Sequence, residues 1–122
     1  MATIHDDLSA GLKLSADTLG ASVNSKTVNV EGSRSIGVQI TIDNNATTAV
    51  GSWAIGGSVD GTTFVPLLFR DPTSGLWVTS VTVATSTDYN DLVSLADLGV
   101  RFLRWQYTRT SGTATSCDVY IN

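Results

Sequence analysis

Apolar and polar residues alternate along most of the chain, and the alternation predicts strands. Ile36, Val38, Ile40 and Ile42 are separated by Gly37, Gln39 and Thr41, the pattern of a strand with one buried face. Asp43-Asn44-Asn45 interrupts it with side chains that hydrogen-bond the local backbone. Residues 50–59 predict the next strand, with Trp53, Ile55, Gly57 and Val59 on one side. Asp60-Gly61 between apolar runs marks a hairpin. Residues 64–69 return as a strand whose Pro66 requires an edge or a bulge. Asp71-Pro72-Thr73-Ser74-Gly75 predicts a turn, and residues 76–83 one or two short strands carrying Trp77, Val81 and Val83. Residues 86–99 hold an acidic cluster, read as a loop with a strand through Val93. In the closing hairpin Leu103, Trp105 and Tyr107 face one way, and Phe102, Arg104, Gln106 and Thr108 the other. A turn at Thr110-Ser111-Gly112 leads into a strand with Thr115, Cys117, Val119 and Ile121 inward.

Residues 1–25 keep no sustained period. Leu8, Leu12, Leu14 and Leu19 are scattered among Ser, Ala, Asp and Gly. The segment reads either as an extended N-terminal arm with apolar anchors or as a first edge strand. Residues 26–122 then form the domain. About eight short strands at regular spacing predict an all-β fold, a single antiparallel β-sandwich of jelly-roll or Ig-like type. Val38, Ile40, Ile42, Trp53, Leu103, Trp105 and Val119 are expected in its core.

Composition agrees. Charged residues are 15% of the 122, against a usual figure of about 25%. Glu31 is the lone Glu, and Lys13 and Lys26 are the only lysines, so the residues that coat helix surfaces are scarce. Net charge is −4, which disfavours nucleic acid as a partner, because neutralising phosphates needs a basic surface. No apolar run approaches the roughly 18 residues of a membrane span. The N-terminus lacks the basic and apolar regions of a signal peptide, so synthesis in the cytoplasm without export is expected. A single cysteine, Cys117, rules out an internal disulfide.

Few residues are suited to chemistry. Nucleophilic catalysis needs a nucleophile, a base and an orienting group, and the only histidine, His5, lies in the irregular N-terminal segment. No nucleotide-binding, zinc-hydrolase or serine-hydrolase motif is present. No enzyme activity, catalytic residue or cofactor is therefore expected. Asp88, Asn90, Asp91 and Asp97 invite a calcium reading, but their spacing matches no EF-hand loop and turn chemistry explains them, so no metal is assigned. Arginine and aromatic residues are enriched at interface hot spots. The candidate partner-binding residues are accordingly Phe102, Arg104 and Gln106 on one strand face and Trp77 beside its turn, with Leu8, Leu12, Leu14 and Leu19 in the N-terminal segment.

Two stretches carry a resemblance. WAIGGSVDGTTFVPLLF (53–69) and VRFLRWQYTRTSGTATSCDV (100–119) are similar to hairpins of small β-sandwich structural proteins of tailed bacteriophages. A weaker resemblance is to discoidin-like jelly rolls. Together the two stretches cover about a third of the chain, and they are turn and core motifs, which speak to architecture more than activity. The phage resemblance implies a non-enzymatic virion structural protein, in the first instance a capsid decoration (cement) protein on the capsid surface. The partners it implies are the major capsid protein or another virion protein, and further copies of the chain, with a trimer preferred. The alternative is a carbohydrate-binding or host-recognition module of a phage tail or fibre.

Overall fold

The structure, a computed structural model, describes residues 11–32, 35–45, 47–96 and 99–122. Twelve strands are present among them: β1 (Gly11–Leu14), β2 (Val23–Asn24), β3 (Val28–Asn29), β4 (Ser35–Asp43), β5 (Ala49–Ser58), β6 (Val65–Pro66), β7 (Phe69–Arg70), β8 (Trp77–Val78), β9 (Val81–Thr85), β10 (Tyr89–Ala96), β11 (Phe102–Ser111) and β12 (Ser116–Ile121). One sheet has the order β1-β12-β4-β10. In the other, β11 and β5 are central, β2 and β3 share the outer edge of β11, and β6 and β9 share that of β5. Every pairing is antiparallel. Taking β2 with β3, and β6 with β9, as single interrupted edge strands leaves eight strands that pass between two sheets, a jelly roll.

Alternation places the core. Val38, Ile40 and Ile42 of β4, Val93 and Leu95 of β10, and Cys117, Val119 and Ile121 of β12 point inward from the first sheet. They meet Trp53 and Ile55 of β5, Val83 of β9, and Leu103, Trp105 and Tyr107 of β11. Trp53 lies at the centre, stacked on Phe69 at 5.2 Å and tilted against Trp105 at 6.4 Å. Its Nε1–H donates to the Tyr89 hydroxyl (3.3 Å), which donates to Asp91 Oδ2 (2.9 Å). Burial pushes the Tyr89 phenol up from its ordinary pKa.

Five expectations change. The expected strand through Val93 is longer than the sequence marks, Tyr89–Ala96, because Tyr89, Asp91, Val93 and Leu95 share the inward phase, and the Tyr89 hydroxyl satisfies Asp91. Residues 64–69 are broken: after Leu67, whose N–H donates to the Ile55 carbonyl, the chain leaves the edge of β5, and β7 and β8 form a separate ribbon. Val59 is exposed, since β5 ends at Ser58, and Thr115 is exposed because β12 begins only at Ser116.

The fifth concerns Leu19, expected as an anchor for a partner. It is fully buried in the chain's own core, held in a turn where its N–H donates to Asp17 Oδ1 (2.7 Å). Nearby, β1 forms the outer edge of the first sheet, with Leu12 beside Tyr120 of β12. That register sends Leu12 outward and buries Lys13. The chain then crosses to the second sheet, where β2 pairs with β11.

Candidate interaction surface

Phe102, Arg104 and Gln106 do project from the outer face of β11, and all three are half-buried. They are spent on the chain's own hairpin. The Arg104 guanidinium lies 4.0 Å from the Phe64 ring centroid, and its Nε–H donates to Gln106 Oε1 (2.9 Å). Gln106 covers Gly56, where an added Cβ would come within 2.5 Å of the amide, and Phe102 covers Gly61. Burial lowers the pKa of the Arg104 guanidinium. The two sequence stretches that carry the phage resemblance thus touch each other, and these residues lock the hairpin between them.

The hairpin turn is equally self-contained. Asp60 Oδ1 accepts from the N–H of Thr63 (2.9 Å), the N–H of Thr62 (2.8 Å) and the Ser58 hydroxyl (2.8 Å). Gly61 supplies the positive φ of 78°. These bonds, Thr63 first, pull the Asp60 carboxyl down to about 2. A lowered folded-state pKa adds stability above the unfolded value near 3.8, and that stability is lost as the pH falls towards 2. Asp60→Asn keeps an acceptor but removes the titration. The drop in melting temperature between pH 7 and pH 3 should be smaller for Asp60→Asn than for the unmodified chain; an equal drop would assign the acid sensitivity elsewhere.

The ribbon of β7 and β8 presents a different surface. Phe69 and Val78 face the core, while Arg70 and Trp77 pair on the outer side. Trp77 is 66% exposed, with Leu76 at 65% and Leu68 at 59%. Its turn is fixed by the Gly75 N–H donating to the Asp71 carbonyl (2.8 Å) and the Asp71 N–H to the Leu76 carbonyl (2.8 Å). Asp71 Oδ1 also takes the Thr73 N–H (3.0 Å), and Asp71 Oδ2 takes the Ser74 hydroxyl (2.9 Å). Exposed apolar residues are therefore held on a stiff ribbon pinned to the core by Phe69.

The outer face of the first sheet is the remaining surface. Register places Leu12, Tyr120, Gln39 and Leu92 in one row across β1, β12, β4 and β10. The row spans roughly 14 Å at a strand spacing of about 4.8 Å. Leu92 is 60% exposed, and Leu12 and Tyr120 a little over 40%. A shallow depression of about 410 Å³ lies beside it, lined by Gly11, Gly37, Gln39, Leu92, Tyr120 and Asn122. Sequence reasoning missed Leu92 and Tyr120, although each is a large apolar residue in the outward phase of its strand. Leu14 is half-buried against the core, and Leu8 and Asp97 lie outside the described residues. Among the described residues no group of three His, Cys, Asp or Glu is placed to hold a metal ion. Cys117 is buried, and that burial, with Asp17 and Asp118 nearby, pushes its thiol up to about 12.

No protein-family model and no curated protein matches the sequence. Among solved structures, the SPBc2 prophage-derived protein YomS is similar with a TM-score of 0.57 at 11% identity, over 95% of this chain and 98% of that one. A carbohydrate-binding module of family CBM28, specific for non-crystalline cellulose, gives a TM-score of only 0.35 at 12% identity, over 88% of this chain and 60% of that one. The chain therefore shares its β-sandwich fold, over 95% of its length, with a protein of prophage origin.

Proposed function

We propose that this chain is a non-enzymatic structural protein of a bacteriophage particle, a decoration protein that attaches to the outer shell. The observation that carries the reading is the β7–β8 ribbon, on which Trp77, Leu76 and Leu68 stand exposed beside Arg70. Trp and Arg are the residue types that dominate binding energy at protein interfaces. Stiffening them before contact reduces the ordering cost of binding. The fold shared with a prophage-derived protein supports the phage context. A second reading, a carbohydrate-binding or host-recognition module, is favoured by the same exposed Trp77 ring, on which a sugar face could stack.

Trp77→Ala separates the two. On the surface it should leave stability within about 0.5 kcal/mol. Attachment to purified particles should weaken roughly 30-fold, the loss expected for a hot spot of about 2 kcal/mol. Normal attachment by a folded Trp77→Ala protein would overturn the assignment of the ribbon. Retention of the unmodified chain on cell-wall polysaccharide, lost in the variant, would support the carbohydrate reading instead.

A further inference from the structure

Asp60–Gly61 is the one place in the sequence where an Asp or Asn precedes a glycine. Such a pair is chemically labile, because glycine has no side chain to shield its nitrogen. The Gly61 nitrogen loses its proton and attacks Asp60 Cγ, the carboxyl oxygen leaves as water, and a succinimide ring closes. Water then opens the ring at either carbonyl. Breaking the new N–Cγ bond restores aspartate. Breaking the original peptide bond leaves an isoaspartyl linkage, with an extra carbon in the main chain and the old peptide carbonyl as a free carboxylate.

The folded turn holds both reactants out of this reaction. Ser58, at the end of β5 and 3% exposed, is hydrogen-bonded to each of them. Its hydroxyl donates to Asp60 Oδ1 (2.8 Å), and its Oγ accepts the Gly61 N–H (2.9 Å). The N–H groups of Thr62 and Thr63 end on the same Oδ1. These donors favour the ionised carboxylate, whereas ring closure needs the protonated acid with its leaving group. Attack also requires the Gly61 nitrogen to swing towards Cγ and release its proton. Ser58 Oγ holds that N–H, and Ser58 is itself fixed by the Arg101 N–H donating to its carbonyl (2.9 Å) and by pairing with Phe102 of β11.

We infer that Asp60–Gly61 is a covalent modification site, one that rearranges to isoaspartate when the turn opens, and that Ser58 is the positioning residue that keeps it closed. Rearrangement takes the carboxylate away from Thr62 and Thr63 and lengthens the tip of the hairpin that Phe102 and Arg104 cover. Local opening of the turn, rather than unfolding of the sandwich, sets its rate. The inference is independent of particle attachment, since the turn does not include Trp77.

The test is slow ageing of the full chain at mildly acidic pH. Isoaspartate at position 60 is read by peptide mapping, in which the rearranged peptide changes retention but not mass. The folded unmodified chain should rearrange slower than the same chain in urea by roughly tenfold or more. Ser58→Ala, folded by circular dichroism, should rearrange roughly tenfold faster than the folded unmodified chain, the effect of losing a hydrogen bond to a charged group. Ser58→Cys keeps the shape of the side chain but bonds weakly, and it carries the same expectation should Ser58→Ala not fold. Gly112→Ala strains a different turn and should stay near the unmodified rate despite its lower stability. An unmodified chain that rearranges as fast folded as in urea would overturn the inference. So would a folded Ser58 variant no faster than the unmodified chain. A Gly112→Ala protein as fast as the Ser58 variant would also overturn it, because protection would then come from global stability and not from Ser58.

Discussion

Replacing Trp53 with alanine should lower the free energy of unfolding by about 3–5 kcal/mol, the range for deleting a fully buried Trp. Trp53 is 1% exposed and joins the two halves of the core. It stacks on Phe69, contacts Trp105, and donates to Tyr89 of the opposite sheet. Its loss leaves a cavity beneath Phe69, the residue that pins the β7–β8 ribbon, and removes the donor to the half-buried Tyr89 hydroxyl. Urea denaturation followed by circular dichroism should show the midpoint moving down with an unchanged slope. A loss below about 1 kcal/mol would mean that the two sheets do not close over Trp53.

Gly112→Ala should cost about 2–4 kcal/mol, a large effect for adding one methyl group. Gly112 has φ of 73°, a conformation that strains an L side chain. An added Cβ would also run into the carbonyl of Thr48, which belongs to the connection between β4 and β5. Backbone meets backbone there, so no rotamer change relieves the clash. The two connections are also tied by the Thr113 N–H donating to the Thr47 hydroxyl (3.0 Å). Gly99→Ala is the control: an added Cβ would meet nothing within 4 Å, and stability should stay within about 0.5 kcal/mol. Equal melting temperatures for Gly112→Ala and Gly99→Ala would show that the close approach at Thr48 is absent.

Much of the fold is legible where a strand buries one face. The alternation at 36–42 and 101–107 places Val38, Ile40, Ile42, Leu103 and Trp105 in the core, and all are buried. Legibility fails where a polar residue occupies an inward position and finds a partner far away in sequence. Asp91 hides the extent of β10, of which only a strand through Val93 is legible, until Trp53 and Tyr89 are seen to complete its environment. Lys13 is buried and Leu12 exposed, an arrangement no local pattern announces, because pairing with β12 sets the register of β1. Residues of the first 25 also do more than their scattered leucines suggest: the Ser25 hydroxyl accepts the buried N–H of Trp105 (2.8 Å).

The candidate site divides in the same way. Trp77 is recognisable from sequence as an aromatic beside a Pro-Gly turn, and it is exposed. Phe102, Arg104 and Gln106 are read correctly as outward-facing, but periodicity cannot reveal that Gly61, Phe64 and Gly56 lie beneath them. The row formed by Leu12, Tyr120, Gln39 and Leu92 exists only once four strands are in register.

Attachment to a virion shell is tested most directly by absolute quantification of this chain, by mass spectrometry, in particles purified from producing cells. A decoration protein should be present in many copies, in a fixed ratio to the major capsid protein. Particles that lack the chain, or hold only a few copies of it, would contradict the account.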